Sequence, residues 1–349
     1  MAQPSSIKHS EITFSPAIGL AQSDLNDFYR TAYPTRSSFL VNRWKWLYSG
    51  RNSENIESWP IVARFRSNRV IGHASTISTR INLWGTLVDA RWFVDFFVLP
   101  EFRGAKVAST LIELVMESAP LVAILGSSDR GQSVFHRHGW SEYRNTTAFI
   151  LPIRFSRHPR FHSFRYPVAL KLLDRIRLRY FQNKVSGSTS NYQLSSCSRD
   201  NIAPLIDAEL SEPSEFSQVH DDVFFQWRIF SSPMRKELKL YKSGHTTALF
   251  RLINTDNYRR LNVLKVISDN PRQFCHDLLA IALDNNTDEL SLFSSNNTHN
   301  RVFLKYFPIK KQAPLFLHSN NIVIPQPSPS LRFRLEMIDS DLDLIFPPT

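Results

Sequence analysis

Residues 92 to 112, WFVDFFVLPEFRGAKVASTLI, constrain the fold more than any other stretch of this 349-residue chain. Trp92 to Leu99 is nearly all aromatic or β-branched, the composition of a buried strand, with one carboxylate, Asp95, in its middle. Pro100 and the Arg103-Gly104 pair then interrupt it. Val107, Leu111, Leu114 and Val115 follow at the spacing of one helical face, so a helix is predicted to open directly after the turn. A helix N-terminus presents backbone N–H groups that lack intrahelical partners, and these together with the helix dipole favour an anion, typically phosphate.

The length favours two domains. Ten glycines are few for such a chain, so no second Gly-rich phosphate loop is available outside this stretch. A net charge of +11 fits anionic partners: nucleotides, nucleic acid or a membrane surface. The two cysteines, Cys197 and Cys275, have neither disulfide-scaffold nor metal spacing; no metal is expected, and a reducing compartment is. The N-terminus shows no apolar signal region, and no run of about 18 apolar residues suggests a membrane span. A cytoplasmic protein is expected.

The first half reads as a short strand (11–17), a helix capped by Ser23-Asp24 and a second helix, Ser37 to Tyr48, rich in aromatics. Strands follow at about 60–66, 69–80 and 87–99, the last two joined by a turn at Trp84-Gly85-Thr86. After the 107–116 region come a buried strand (121–125), a helix opening at Ser127-Ser128-Asp129 and ending at Gly139, and a strand, Thr147 to Ile153, that closes the unit. Residues 154–184 hold nine Lys or Arg against one acid, Asp174, and their second half has the pattern of an amphipathic helix starting at Pro167. That helix either packs between domains or lies on an anionic membrane surface. SGSTSN (186–191) reads as a linker. The second half repeats the order in outline. An aromatic helix (223–230) precedes a hairpin, and a long strand enters a helix at Pro271, but without an Arg-Gly turn. The expected organisation is therefore a mixed α/β (α+β) chain with domains at 1–153 and 191–349, joined by a basic linker, 154–190.

VDFFVLPEFRGAKVASTLI resembles the strand, pyrophosphate loop and helix of the GNAT superfamily of acyl-CoA-dependent N-acyltransferases. The loop reads Arg103-Gly104-Ala105-Lys106-Val107-Ala108; the arginine and the final small residue match the family pattern, and Lys106 replaces a glycine. SSDRGQSVFHRHGW (127–140) resembles the family's next helix. With the degenerate second copy, the chain is similar to tandem GNAT proteins. The resemblance implies N-acylation, most simply N-acetylation, of a small-molecule or sugar amine, with acetyl-CoA or another acyl-CoA as co-substrate. It implies that the N–H groups of residues 103 to 108 cradle the CoA pyrophosphate and that Lys106 adds a charge contact. It also implies that the backbone at Val98 pairs with the pantetheine and that Ser128 lies near the cofactor. Asp95 is the implied general base, the alternative being a salt bridge to an arginine such as Arg91. Phe135 stands where the family often has a proton-donating tyrosine, which leaves His136 or His138 for that role. Asp222, Trp227, Arg228, Tyr241 and the acidic end, Ile338 to Asp343, are candidates for an acceptor site; that end is similar to tandem members linked to bacterial surface polysaccharide synthesis. Two rival readings stay open: an aminoacyltransferase that takes its acyl group from tRNA, suggested by 154–184, and a catalytically inactive GNAT fold kept for binding. No DNA partner is expected.

Overall fold

In a computed structural model of the chain, the structure describes residues 9–51, 60–66, 69–144, 146–161, 164–186, 192–211, 215–244, 246–255, 258–295, 297–324 and 333–341. The first half holds β1 (Ile12–Pro16), α1 (Gln22–Ala32), α2 (Ser37–Ser49), β2 (Ile61–Phe65), β3 (Arg69–Leu83), β4 (Thr86–Val98), α3 (Val107–Met116), β5 (Leu121–Leu125), α4 (Asp129–Arg137), β6 (Ser141–Tyr143) and β7 (Thr147–Pro152). Then come α5 (Pro167–Val185), β8 (Gln193–Ser196), α6 (Arg199–Ser211), β9 (Phe216–Gln218) and α7 (Asp222–Phe225), the last continued by a π-helical turn, Gln226–Phe230. The chain goes on through β10 (Leu238–Ser243), β11 (Thr246–Asn254), β12 (Arg259–Ser268), α8 (Pro271–Asp284), β13 (Glu289–Ser294), α9 (Asn297–Phe303), β14 (Ile309–Gln312), β15 (Leu315–Ser319) and β16 (Phe333–Arg334).

The described residues of 1–143 and 314–331 form one compact unit, and those of 144–313 and 332–348 a second. The first unit's sheet runs β1-β2-β3-β4-β5-β15-β6. Its β4–β5 pair is parallel, with α3 as the crossover, and β15 is antiparallel to both β5 and β6. The second unit's sheet runs β14-β7-β13-β12-β11-β10-β8, with β12–β13 parallel around α8. Both sheets are mixed, as the element order predicts.

Two expectations are corrected. Thr147 to Ile153 is a strand, but it does not close the first unit. It lies between β13 and β14, where Phe149, Leu151 and Ile153 are buried in the second core. The matching place in the first unit, between β5 and β6, is filled by β15 from the far end of the chain, with Leu315, Phe316 and Leu317 fully buried. Each unit thus completes its sheet with a strand that follows the other unit's elements in sequence. Local patterning fixes which face of such a strand is apolar, not which sheet receives it. The cap of α1 is also corrected: Ala21 is the capping residue, makes no side-chain bond, and leaves Ser23 and Asp24 inside the first turn. The linker SGSTSN lies outside the described residues from 187 on, as does the end of the acidic tail from Leu342.

Two glycines matter to the first unit. At Gly72 a Cβ would stand 3.0 Å from Val107 Cγ1 and 3.1 Å from Leu111 Cδ1, so the close approach of α3 to β3 depends on the missing side chain. Gly104 adopts φ +95°, a turn into α3 that other residues rarely allow. In the second unit, residues 333–341 are held by buried charges. Lys265 Nζ donates to Glu336 (2.8 Å) and to His220 Nδ1 (2.8 Å), and His220 Nε2 meets Asp339 (2.5 Å). Glu336 also accepts from Val266 N at 2.8 Å. Burial pushes the Asp339 carboxyl up, against the pull of His220.

Candidate functional site

The site is built on β4. Along most of its length β4 pairs with β3, but opposite Ala74 the register shifts, and Asp95 and Phe96 together oppose one residue. Asp95 takes φ +50° at this bulge, an unusual conformation for a non-glycine residue. On its other side, β4 pairs with β5 only from Ala90↔Leu121 to Trp92↔Ala123. Beyond that point β4 continues to Val98 and β5 to Leu125 with no paired residues between them, so the backbone of β4 from Phe93 to Val98 presents an open edge on the β5 side.

A buried polar cluster holds the bulge. The Asp95 side chain is 2% exposed; one oxygen pairs with Arg36 (2.5 Å) and the other accepts from Tyr48 Oη (2.9 Å). His73 Nδ1 lies 2.7 Å from the Asp95 carbonyl. A carbonyl only accepts, so Nδ1 carries the hydrogen, and Nε2 accepts from Tyr29 Oη (3.2 Å) or Ser75 Oγ (3.1 Å). Burial takes the His73 pKa down to about 4, the Asp95 carbonyl opposing and Arg36 assisting. Burial and then the Asp95 charge raise both Tyr29 and Tyr48 well above their usual range, so both hydroxyls keep their protons. Asp95 therefore forms the salt bridge weighed in the sequence, but with Arg36; Arg91 instead donates to Thr76 at 3.1 Å.

A depressed histidine pKa has a pH signature. The folded state resists protonation of His73 while the unfolded state accepts it near 6.5, so its contribution is complete above pH 6.5 and is lost as pH falls towards 4. The loss expected across that window is about 3 kcal/mol. Urea midpoints measured from pH 7 to 4 check this, and His73→Asn, which keeps a donor near Nδ1 and removes the titration, should flatten the slope in that window. Glu289 falls outside it: burial alone would raise its carboxyl, but hydrogen bonds from His158, the Arg260 charge, Tyr258 and Ser291 take it down to about 2. Its contribution therefore fades only below about pH 4.5.

The loop after β4 leads into α3. Arg103 turns back, its Nε 3.3 Å from the Val98 carbonyl and its guanidinium 5.6 Å from the Phe97 ring. Lys106 is the N-terminal cap residue, left-handed at φ 60°, exposed, and without a side-chain capping bond. The first backbone bond into the helix is Thr110 N to Lys106 O at 3.1 Å, so the N–H groups of Val107, Ala108 and Ser109 have no partner along the helix. No acidic side chain occupies this first turn, and nothing lies within 4 Å of a Cβ placed on Gly104. The free N–H groups of Val107, Ala108 and Ser109, beside Gly104 and the Lys106 side chain, could thus hold an anion, whereas the Ala105 N–H is taken by the Phe102 carbonyl at 3.4 Å. α8, at the equivalent place in the second unit, differs: Pro271 opens it and Asn270 caps it through Gln273 N at 3.1 Å.

The remaining candidates are engaged elsewhere. Ser128 caps α4, accepting from Gly131 N at 3.3 Å. Phe135 is buried against Phe93, Trp140 and Phe316 and has no proton to give. His136, with a side chain 48% exposed, reaches Glu142 at 3.1 Å. In the second unit Arg228 is buried and donates to the Ser340 carbonyl at 3.0 Å, Tyr241 Oη donates to Asp277, and Trp227 packs on Phe224. Asp222 opens α7, which its neighbour Asp221 caps. Sequence reasoning missed Tyr29, Arg36, Tyr48 and His73. The signal for His73 was there: a lone histidine between Ile71-Gly72 and Ala74, inside an apolar strand.

Two mixed sheets in one chain, the first with a strand that parts from its parallel neighbour beside an uncapped helix N-terminus, define the tandem GNAT-like fold. No protein-family model and no curated protein sequence matches the chain. Solved structures do. N-myristoyltransferase of Saccharomyces cerevisiae with bound myristoyl-CoA matches over 97% of this chain and 89% of its own, at 12% identity and a TM-score of 0.60. GCN5-related N-acetyltransferases match too. The one from Kribbella flavida (TM-score 0.54, 13% identity) and the one from Anabaena variabilis (0.55, 12%) each cover 88% of this chain and 72% of their own. At such identities the likeness is one of fold. No helix among the described residues is long and apolar enough to cross a membrane.

Proposed function

We propose that the first unit binds an acyl-CoA and that the protein transfers the acyl group to an amine of a small molecule or sugar. The observation that carries this reading is the open edge of β4 beside β5, ending at the uncapped N-terminus of α3. A diphosphate fits the cradle at residues 104–108, with Lys106 as its cation, and the unpaired edge of β4 from Phe93 suits the amides of the pantetheine arm, with Arg103 leaving the Val98 carbonyl for them. Acyl-CoA supplies a thioester whose carbonyl an amine attacks, with the thiol as leaving group. The chain's own part is to hold that thioester against β4. Asp95, with both oxygens engaged, fits a positioning residue that keeps the bulge in shape. In this reading the proton lost by the attacking amine and the one taken up by the thiolate are exchanged through solvent, since Phe135 has none to give and His136 pairs with Glu142. The names of the structural neighbours, one with myristoyl-CoA bound, support an acyl-CoA without selecting its chain length. The Asn270 and Pro271 cap on α8 supports a single site, with the second unit as a degenerate copy.

Ala108→Glu tests the reading. A carboxylate in the first turn suits the helix dipole, so folding is retained, but it opposes a diphosphate. Thiol release from acetyl-CoA and myristoyl-CoA over a panel of amines should be measurable for the native protein and fall at least about 100-fold in this variant, the effect of a carboxylate set against the diphosphate. Binding without thiol release on any amine would leave a GNAT fold kept for binding. Equal rates in both proteins would reject the site.

A further inference from the structure

α5 has two apolar faces, and only one of them is used. Leu170 and Phe181 are buried, and between them Asp174 accepts from the backbone N–H groups of Phe155 and Ser156 at 2.5 and 3.2 Å. Arg177 lies over the Phe155 and Phe181 rings at 5.0 and 4.9 Å. The opposite face carries Val168, Leu172, Ile176 and Tyr180 at steps of four, with Leu173 beside them. Val168 is 78% exposed, Leu172 58% and Ile176 59%. Half of the exposed large apolar side chains among the described residues lie between Phe164 and Tyr180.

The charges around this stripe all have one sign. Arg165, Lys171, Arg175, Arg179 and Lys184 are exposed, and the segment's one acid, Asp174, is on the buried face. A second copy of the same face would bring like charges together, which disfavours self-association there. An apolar stripe flanked by cations fits a surface that is apolar inside and anionic at its rim. We propose that α5 is a peripheral membrane-binding element, lying along an anionic lipid bilayer with Val168, Leu172, Ile176 and Tyr180 inserted among the acyl chains and the basic residues at the headgroups. This goes beyond the acyl-transfer reading and is independent of it.

Co-sedimentation of the full chain with vesicles tests it. The protein should pellet with phosphatidylcholine vesicles containing a quarter phosphatidylglycerol, remain in solution with phosphatidylcholine alone, and be released by 1 M salt. Arg175→Glu/Arg179→Glu should weaken binding at least about 25-fold, roughly fivefold for each cation lost. Leu172→Glu/Ile176→Glu should weaken it at least about tenfold while the charged flanks remain. All four side chains are exposed, so circular dichroism and melting should match the native protein. Absence of binding to the anionic vesicles would overturn the proposal. So would unchanged binding by Leu172→Glu/Ile176→Glu, which would leave plain charge attraction. A native dimer that this variant converts to a monomer would make a second copy the occupant, and would overturn it too.

Discussion

Asp95→Ala is expected to destabilise the first unit by about 3–5 kcal/mol, the usual cost of removing one partner from a buried ion pair. The reason is local. Arg36 loses the carboxylate it meets at 2.5 Å, and Tyr48 loses the acceptor of its hydroxyl, both in a region closed to water. Burial drives the Tyr48 pKa well above its usual range, so that hydroxyl keeps its proton and needs another acceptor. Asp95→Asn keeps an acceptor for Tyr48 but not the charge facing Arg36, and should cost less, about 1–3 kcal/mol. Urea denaturation gives both values. The same pair separates positioning from base catalysis. A positioning Asp95 predicts that Asn weakens acyl-CoA binding and transfer together, because the β4 bulge relaxes. A base predicts intact binding and a rate that returns at high pH.

Lys265→Met should have a comparable effect in the second unit, again about 3–5 kcal/mol. Lys265 is fully buried and its ammonium serves both Glu336 and His220. Without it, Glu336 keeps only the Val266 N–H, and the His220–Asp339 pair loses the donor that fixes the ring. Residues 333–341 are tied down by this network, so the variant should also make the C-terminal segment sensitive to protease under native conditions. Lys265→Met/Glu336→Leu removes both charges and should recover part of the loss, since a buried pair replaced by apolar groups of similar volume is often close to neutral. A double variant no more stable than Lys265→Met would locate the loss in packing instead.

The strand–turn–helix at 92–112 was legible because its signals are local: β-branched and aromatic density, a proline, a glycine turn and helical spacing. The aromatic helix α2, the hairpin at Trp84-Gly85 and the start of α4 at Ser127-Ser128-Asp129 were legible for the same reason. The placement of β7 and β15 was not. Each is a short apolar strand that suits either sheet, and the choice depends on pairing across much of the chain. β6, β9 and β14 are too short to show an alternation of their own. The polar cluster at the bulge was hidden for another reason. Tyr29, Tyr48, His73 and Asp95 come from four elements and Arg36 from the turn before α2, and nothing in the spacing of Arg36 and Asp95, 59 residues apart, marks them as partners. Asp95 itself was visible as a carboxylate in an apolar strand that needed a partner; only the partner's identity was missing.

Calorimetric titration with acetyl-CoA most directly tests whether the start of α3 holds an anion. The prediction is one molecule bound per chain, at an affinity that Ala108→Glu abolishes and that substitutions at Asn270 leave unchanged. A folded native protein that takes up no acetyl-CoA and no longer-chain acyl-CoA, or one whose binding is unaffected by Ala108→Glu, would contradict it.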